Sequence, residues 1–122
     1  MESLDKPRLI SFPRFNDPRG NLSFIQDIDQ APFKIKRVEW IYDLPTDTPL
    51  EQRGYRHKQQ LIVPLAGAVD VKIDDTLFHL TRPYQGLYIP AGMTSAMTSA
   101  ATNTVIVILS STIDDPDSPD TL

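Results

Sequence analysis

The chain has 122 residues and a formal net charge of −4, from 12 Lys and Arg against 16 Asp and Glu; this length suits one domain around a single modest core. The acidic balance offers no basic face for nucleic acid, and the longest apolar run, Val105 to Leu109, is far short of the roughly 20 residues of a membrane-spanning helix. MESLDKPR lacks the apolar stretch of a secretory signal, and the lack of Cys excludes disulfides, thiolate nucleophiles and zinc–thiolate sites, so the expected setting is the cytoplasm.

Eleven Pro and five Gly divide the chain into short segments, which favours strands joined by turns. RLISF alternates weakly up to Pro13, and FNDPRGNL carries two turn signals, Asp17-Pro18 and Gly20-Asn21. LSFIQ sets Leu22, Phe24 and Gln26 against Ser23 and Ile25. After Ala31-Pro32, FKIKRVEWIYDL sets Phe33, Ile35, Arg37, Glu39 and Ile41 against Lys34, Lys36, Val38, Trp40 and Tyr42. That is the period of a strand, with a change of face near Arg37 that predicts a bulge or bend. PTDTPLEQ is a polar connection. Leu61, Val63 and Leu65 then alternate with Ile62 before Ala66-Gly67 turns the chain. VDVKIDD reads as a half-buried strand, with Val69, Val71 and Ile73 inward. Asp74-Asp75 makes a tight hairpin into TLFHL, where Leu77 and His79 oppose Phe78 and Leu80. QGLYIPAG follows, then MTSAMTSAAT, an irregular strand or loop, then TVIVILSS, apolar on both faces like a central strand. Nine or ten short strands and no helix predict an all-β sandwich or barrel of antiparallel strands over residues 1–112. Residues 113–122 form an acidic, Pro-rich tail.

Extended backwards, the Leu61/Val63/Leu65 face passes through Gln59, His57, Tyr55 and Arg53. If strand structure begins by residue 53, these polar side chains enter the same interior and make a polar mouth for a small ligand; otherwise residues 51–58 are a solvated loop. A metal centre of the cupin type needs a His-x-His pair and a later His or Glu. His57 and His79 are the only histidines, and Ser95 stands where a ligand would be expected, so no metal is predicted. His79, on a hairpin strand, reads as structural or exposed. No nucleophile elbow or phosphate loop is present. Proton transfer remains: His57 titrates near neutrality and Tyr55 could assist it, while Arg37, Arg53 and Arg56 could pair with a diphosphate.

From residue 9 to 115 the chain resembles the WxcM-like sugar nucleotide 3,4-ketoisomerases, small cupins acting on dTDP-4-keto-6-deoxyglucose. The resemblance rests on DPRGNLSFIQ, PFKIKRVEWIYDLP, QQLIVPLAGAVDVKIDD, FHLTRPYQGLYIPAG and VIVILSSTIDD, five blocks in order. It implies a cupin-type β-barrel (jelly roll), a homodimer, a dTDP-linked sugar as partner, no cofactor, and a role in deoxysugar or surface polysaccharide biosynthesis. It also implies substrate-binding roles for Arg19, Arg37, Gln60 and Tyr88, while substrate binding by Arg53 and catalysis by His57 and Tyr55 rest on the reading of those residues above. The chain departs from the family at its R-G-x-H-A-H-K motif. An ungapped register puts Arg53 and Tyr55 where the two histidines belong, whereas a gapped one sets His57-Lys58 on the final H-K. Thr94 stands where a tryptophan is usual. Three readings therefore stay open: an isomerase that shuttles a proton through an enediol, a non-catalytic sugar-nucleotide-binding cupin or partner domain, and a cupin-like structural or interaction protein with no small ligand.

Overall fold

The computed structural model describes residues 6–45, 52–54 (as backbone) and 58–112. Eleven strands run through these residues: β1 (Arg8–Ser11), β2 (Arg14–Asp17), β3 (Gly20–Ser23), β4 (Arg37–Ile41), β5 (Gln52–Gly54), β6 (Gln60–Ala66), β7 (Val69–Ile73), β8 (Thr76–Leu80), β9 (Gln85–Ile89), β10 (Thr94–Ala100) and β11 (Val105–Ser110). Every pairing is antiparallel, as the all-β reading expects. No helix among the described residues is long and apolar enough to cross a membrane.

One sheet has the order β1-β9-β6-β11-β4 and a second the order β5-β10-β7-β8. Between them lies a core of Ile41, Ile62, Ile106, Ile108, Leu87 and Ile89 from the first sheet and Val69, Val71, Ile73, Leu80, Met97 and Ala100 from the second. Burying each large aliphatic side chain here is worth about 1.5–3 kcal/mol. A second cluster covers the opposite face of the five-stranded sheet, where Phe12, Ala31 and Phe33 pack on Leu61, Val63, Tyr88 and Leu109. Gly86 permits this layer: a Cβ there would lie 2.9 Å from Phe12 and 3.0 Å from Leu61.

This layering corrects one expectation. Leu61 and Val63 face the second cluster and Leu65 is exposed, so the interior between the sheets belongs to Ile62 and its alternates. Alternation could not identify the inner face, because β6 is buried on both sides from Gln60 to Pro64. The change of face near Arg37 is real: Phe33 and Ile35 join the outer cluster, whereas Ile41 joins the inner one. β4 itself begins at Arg37.

The remaining turns follow their residues. Asp74, at φ 53°, closes a two-residue hairpin between the paired Ile73 and Thr76, a left-handed conformation that Asp tolerates better than most. β10 is the irregular strand expected of MTSAMTSA, its register shifting between Met97 and Ser99. β11 is central, flanked by β6 and β4. The β2–β3 hairpin stands apart as its own two-stranded sheet, exposed along both strands.

Candidate functional site

The inner face of the five-stranded sheet is apolar over most of its length and turns polar at one end. Arg37 pairs across the ladder with Ser110, Ser110 with Gln60, and Gln60 with Ile89. Arg37 and Glu39 alternate with the exposed Val38 and Trp40, and so share the inward face of Ile41. Gln60 shares that of Ile62, and Ser110 that of Ile106 and Ile108. The Arg37 guanidinium lies 3.8 Å from the Glu39 carboxylate, both side chains about three-quarters buried. Gln60, Ser110 and Lys58 are buried, with exposures of 4%, 0% and 2%. Polar groups taken out of water need partners to offset desolvation, so a cluster of them at one end of an apolar interior marks a place built for polar contact.

The four-stranded sheet reaches the same end. Ser95, buried, pairs with Ile73, and Ile73 with Thr76. Beside them opens a cavity of 340 Å³ lined by Ile73, Asp74, Thr76, Phe78 and Met93, with Lys6 and Pro7 at its rim. Arg53 lies opposite Ser95 and Gly54 opposite Thr94. The chain thus arrives at this end at Gly54 and begins again at Lys58, two residues before β6. Tyr55 and His57 fall in the three-residue link and lie outside the described residues.

The other sequence-derived candidates are placed elsewhere. Tyr88 is 1% exposed and faces the outer cluster. Its hydroxyl donates to Gln59 Oε1 at 2.6 Å, Phe33 lies beside its ring, and the Arg8 guanidinium sits 4.6 Å above it. Tyr88 therefore backs the strand that carries Gln60 and does not share its space. Arg19 extends from the β2–β3 hairpin, its Nε donating to Asp17 Oδ1 at 3.0 Å and its Nη2 to Asp17 Oδ2 at 3.2 Å. These bonds hold the Asp17 carboxyl below its ordinary range and raise the Arg19 guanidinium above its own. The structure thus gathers Arg37 and Gln60 at the inner polar end, with the Arg53 backbone in the ladder beside it, and separates Arg19 and Tyr88 from them.

His79 is exposed on β8, where its Nδ1 meets Asp70 Oδ1 at 2.5 Å across the β7–β8 ladder. Among the described residues no group of three or more His, Asp or Glu could hold a metal ion. Sequence reasoning missed Glu39, Lys58 and Ser110 as members of the polar end. For Glu39 and Ser110 the signal was the parity they share with Ile41 and with Ile106 and Ile108, which points inward once the covered outer face is known.

The family described as WxcM-like, C-terminal (FdtA) matches residues 5–118. The chain belongs to that family. A curated relative, the TDP-4-oxo-6-deoxy-alpha-D-glucose-3,4-oxoisomerase of Aneurinibacillus thermoaerophilus, is 30% identical over 108 residues, covering 85% of this chain and 78% of the relative. Among solved structures, the WlaRB TDP-quinovose 3,4-ketoisomerase of Campylobacter jejuni superposes with a TM-score of 0.86 at 25% identity, over 93% of this chain and 90% of its own. A doubly substituted QdtA 3,4-ketoisomerase of Thermoanaerobacterium thermosaccharolyticum, solved in complex with TDP, gives 0.82 at 30% identity over 94% and 86%. This WxcM-like chain therefore shares its architecture with proteins named for moving a keto group on a TDP-linked sugar.

Proposed function

We propose that the protein is a cytoplasmic sugar-nucleotide 3,4-ketoisomerase that converts a dTDP-linked 4-keto-6-deoxyhexose to its 3-keto isomer for deoxysugar or surface polysaccharide synthesis. The observation that carries this reading is the buried polar end of the barrel, Arg37, Glu39, Lys58, Gln60 and Ser110, in a chain of the ketoisomerase-containing family. The reaction is redox-neutral. A base removes the proton from C3, the electrons of that C–H bond form the C3–C4 double bond, and O4 takes up a proton to give an enediol. Loss of the O3 proton and delivery of a proton to C4 then complete the exchange. His57 is the acid–base group of this reading and Tyr55 its partner, because a single imidazole that reaches both carbons can carry the proton between them. Arg37 and Arg53 supply positive charge for the diphosphate.

A second copy of the chain completes the assembly in this reading. Phe15 and Leu22 on the hairpin and Trp40 and Tyr42 beside the β4 edge are each close to 60% exposed, and a two-stranded hairpin alone is marginal in water. Docking against a second copy would cover both.

The test is proton NMR of dTDP-4-keto-6-deoxyglucose in D₂O with wild type and His57→Ala. Deuterium at C3 of the recovered substrate and at C4 of a 3-keto product with wild type, reduced on the order of 10²–10⁴-fold in the variant, is the expected outcome. Broadened thymidine signals without exchange would replace the isomerase with a sugar-nucleotide-binding protein.

A further inference from the structure

Gln60 Nε2 and Ser110 Oγ are buried and have no hydrogen-bond partner among the described residues. They are partners in the β6–β11 ladder on the inner face, beside Arg37 in the same row. Thr112 Oγ1, two residues on from Ser110, is buried and unpartnered as well. Orphaned polar atoms are rare in protein interiors, because each costs about 1–3 kcal/mol in lost hydration. Two on neighbouring strands, aimed into one space at the end that holds Arg37, Glu39 and Lys58, point to polar atoms that arrive from outside. A primary amide and hydroxyls can all donate. The complementary ligand group is an oxygen acceptor, a carbonyl or a hydroxyl lone pair.

Resting on the proposed function, we infer that Gln60 and Ser110 form a paired donor subsite for an oxygen of the ketosugar, with Thr112 at its edge. The pair binds the sugar and leaves the nucleotide to other groups. Donors fixed on two central strands need no rearrangement to meet the ligand, and they would also hold the oxygen as it becomes an enediolate.

The experiment is calorimetric titration of the full chain with TDP and, separately, with dTDP-4-keto-6-deoxyglucose, for wild type, Ser110→Ala and Gln60→Met, with melting temperatures alongside. Both substitutions keep a compact side chain, and each variant's fold is checked by its melt. The expected result is a loss of about 3- to 10-fold in affinity for the ketosugar per variant, no change for TDP, and melting temperatures equal to or above wild type, since an unpaired buried group has been removed. Equal affinities for the ketosugar in all three proteins would overturn the subsite while leaving the proposed function standing. So would a lowered melting temperature with the wild-type difference between the two ligands preserved, because that identifies buried water as the partner. Wild type that binds neither ligand would overturn the proposed function and the subsite together.

Discussion

Thr104→Val separates the structural end of the barrel from the polar one. Thr104 is fully buried in the turn before β11, at the opposite end of the barrel from Gln60 and Ser110. Its Oγ1 accepts from Ala68 N at 3.2 Å and donates to Ala101 O at 2.7 Å, with Ala68 O at 3.1 Å as the alternative acceptor. The single hydroxyl proton serves one acceptor at a time, so the substitution removes two hydrogen bonds. At about 0.5–1.5 kcal/mol each, with Ala68 N–H left without its acceptor, the loss is about 2–3 kcal/mol. The added methyl returns up to about 0.8 kcal/mol, leaving a net cost of about 1.2–2.2 kcal/mol. For a chain of this size that lowers the melting temperature by about 5–9 °C. Gly67 shows how tightly the site is built: at φ 81°, a Cβ on it would lie 2.3 Å from Thr104 Oγ1. The assay pairs a thermal melt with TDP titration well below the transition. A shift under about 2 °C, or a loss of TDP affinity while the protein remains folded, would refute the reasoning.

Tyr88→Phe removes the hydroxyl that bonds Gln59; it should cost about 1 kcal/mol in urea denaturation and leave TDP affinity unchanged, because the phenol faces away from Gln60. Trp40→Glu, at a residue 60% exposed, tests the proposed docking of a second copy: the mass seen by light scattering should fall from two chains to one while far-ultraviolet circular dichroism stays constant, and an unchanged mass would remove the β4 face from that proposal. The Tyr84 phenol is lowered from 10.0, chiefly by the hydrogen bond from Arg82; desolvation opposes this, and the charges of Arg82 and Arg14 add smaller lowering effects. Arg82→Ala should move its ultraviolet titration back up. For an acid whose folded value is depressed, the linked stabilisation is present above the ordinary value and lost as pH falls through the lowered one, so the variant should lose stability only in the alkaline range.

What the sequence determined by itself was local. Alternation placed strands at RVEWI, VDVKI, TLFHL and VIVILS, and Asp74-Asp75 announced the hairpin between two of them, because the pleat and the turn residues act over a few neighbours. The same alternation grouped Arg37 with Glu39 before any fold was known. It also made Leu61 and Val63 as plausible an interior as Ile62, since a strand covered on both faces is apolar on both. Tertiary structure decided between them. Phe12 and Phe33, distant in sequence from β6, cover Leu61 and Val63, while the second sheet supplies Val71, Ile73 and Met97 opposite Ile62. That choice of face sends Tyr88 outward and Gln60 inward, although their backbones lie on adjacent strands. Side-chain periodicity is a property of one strand, whereas inside and outside are properties of what packs against it.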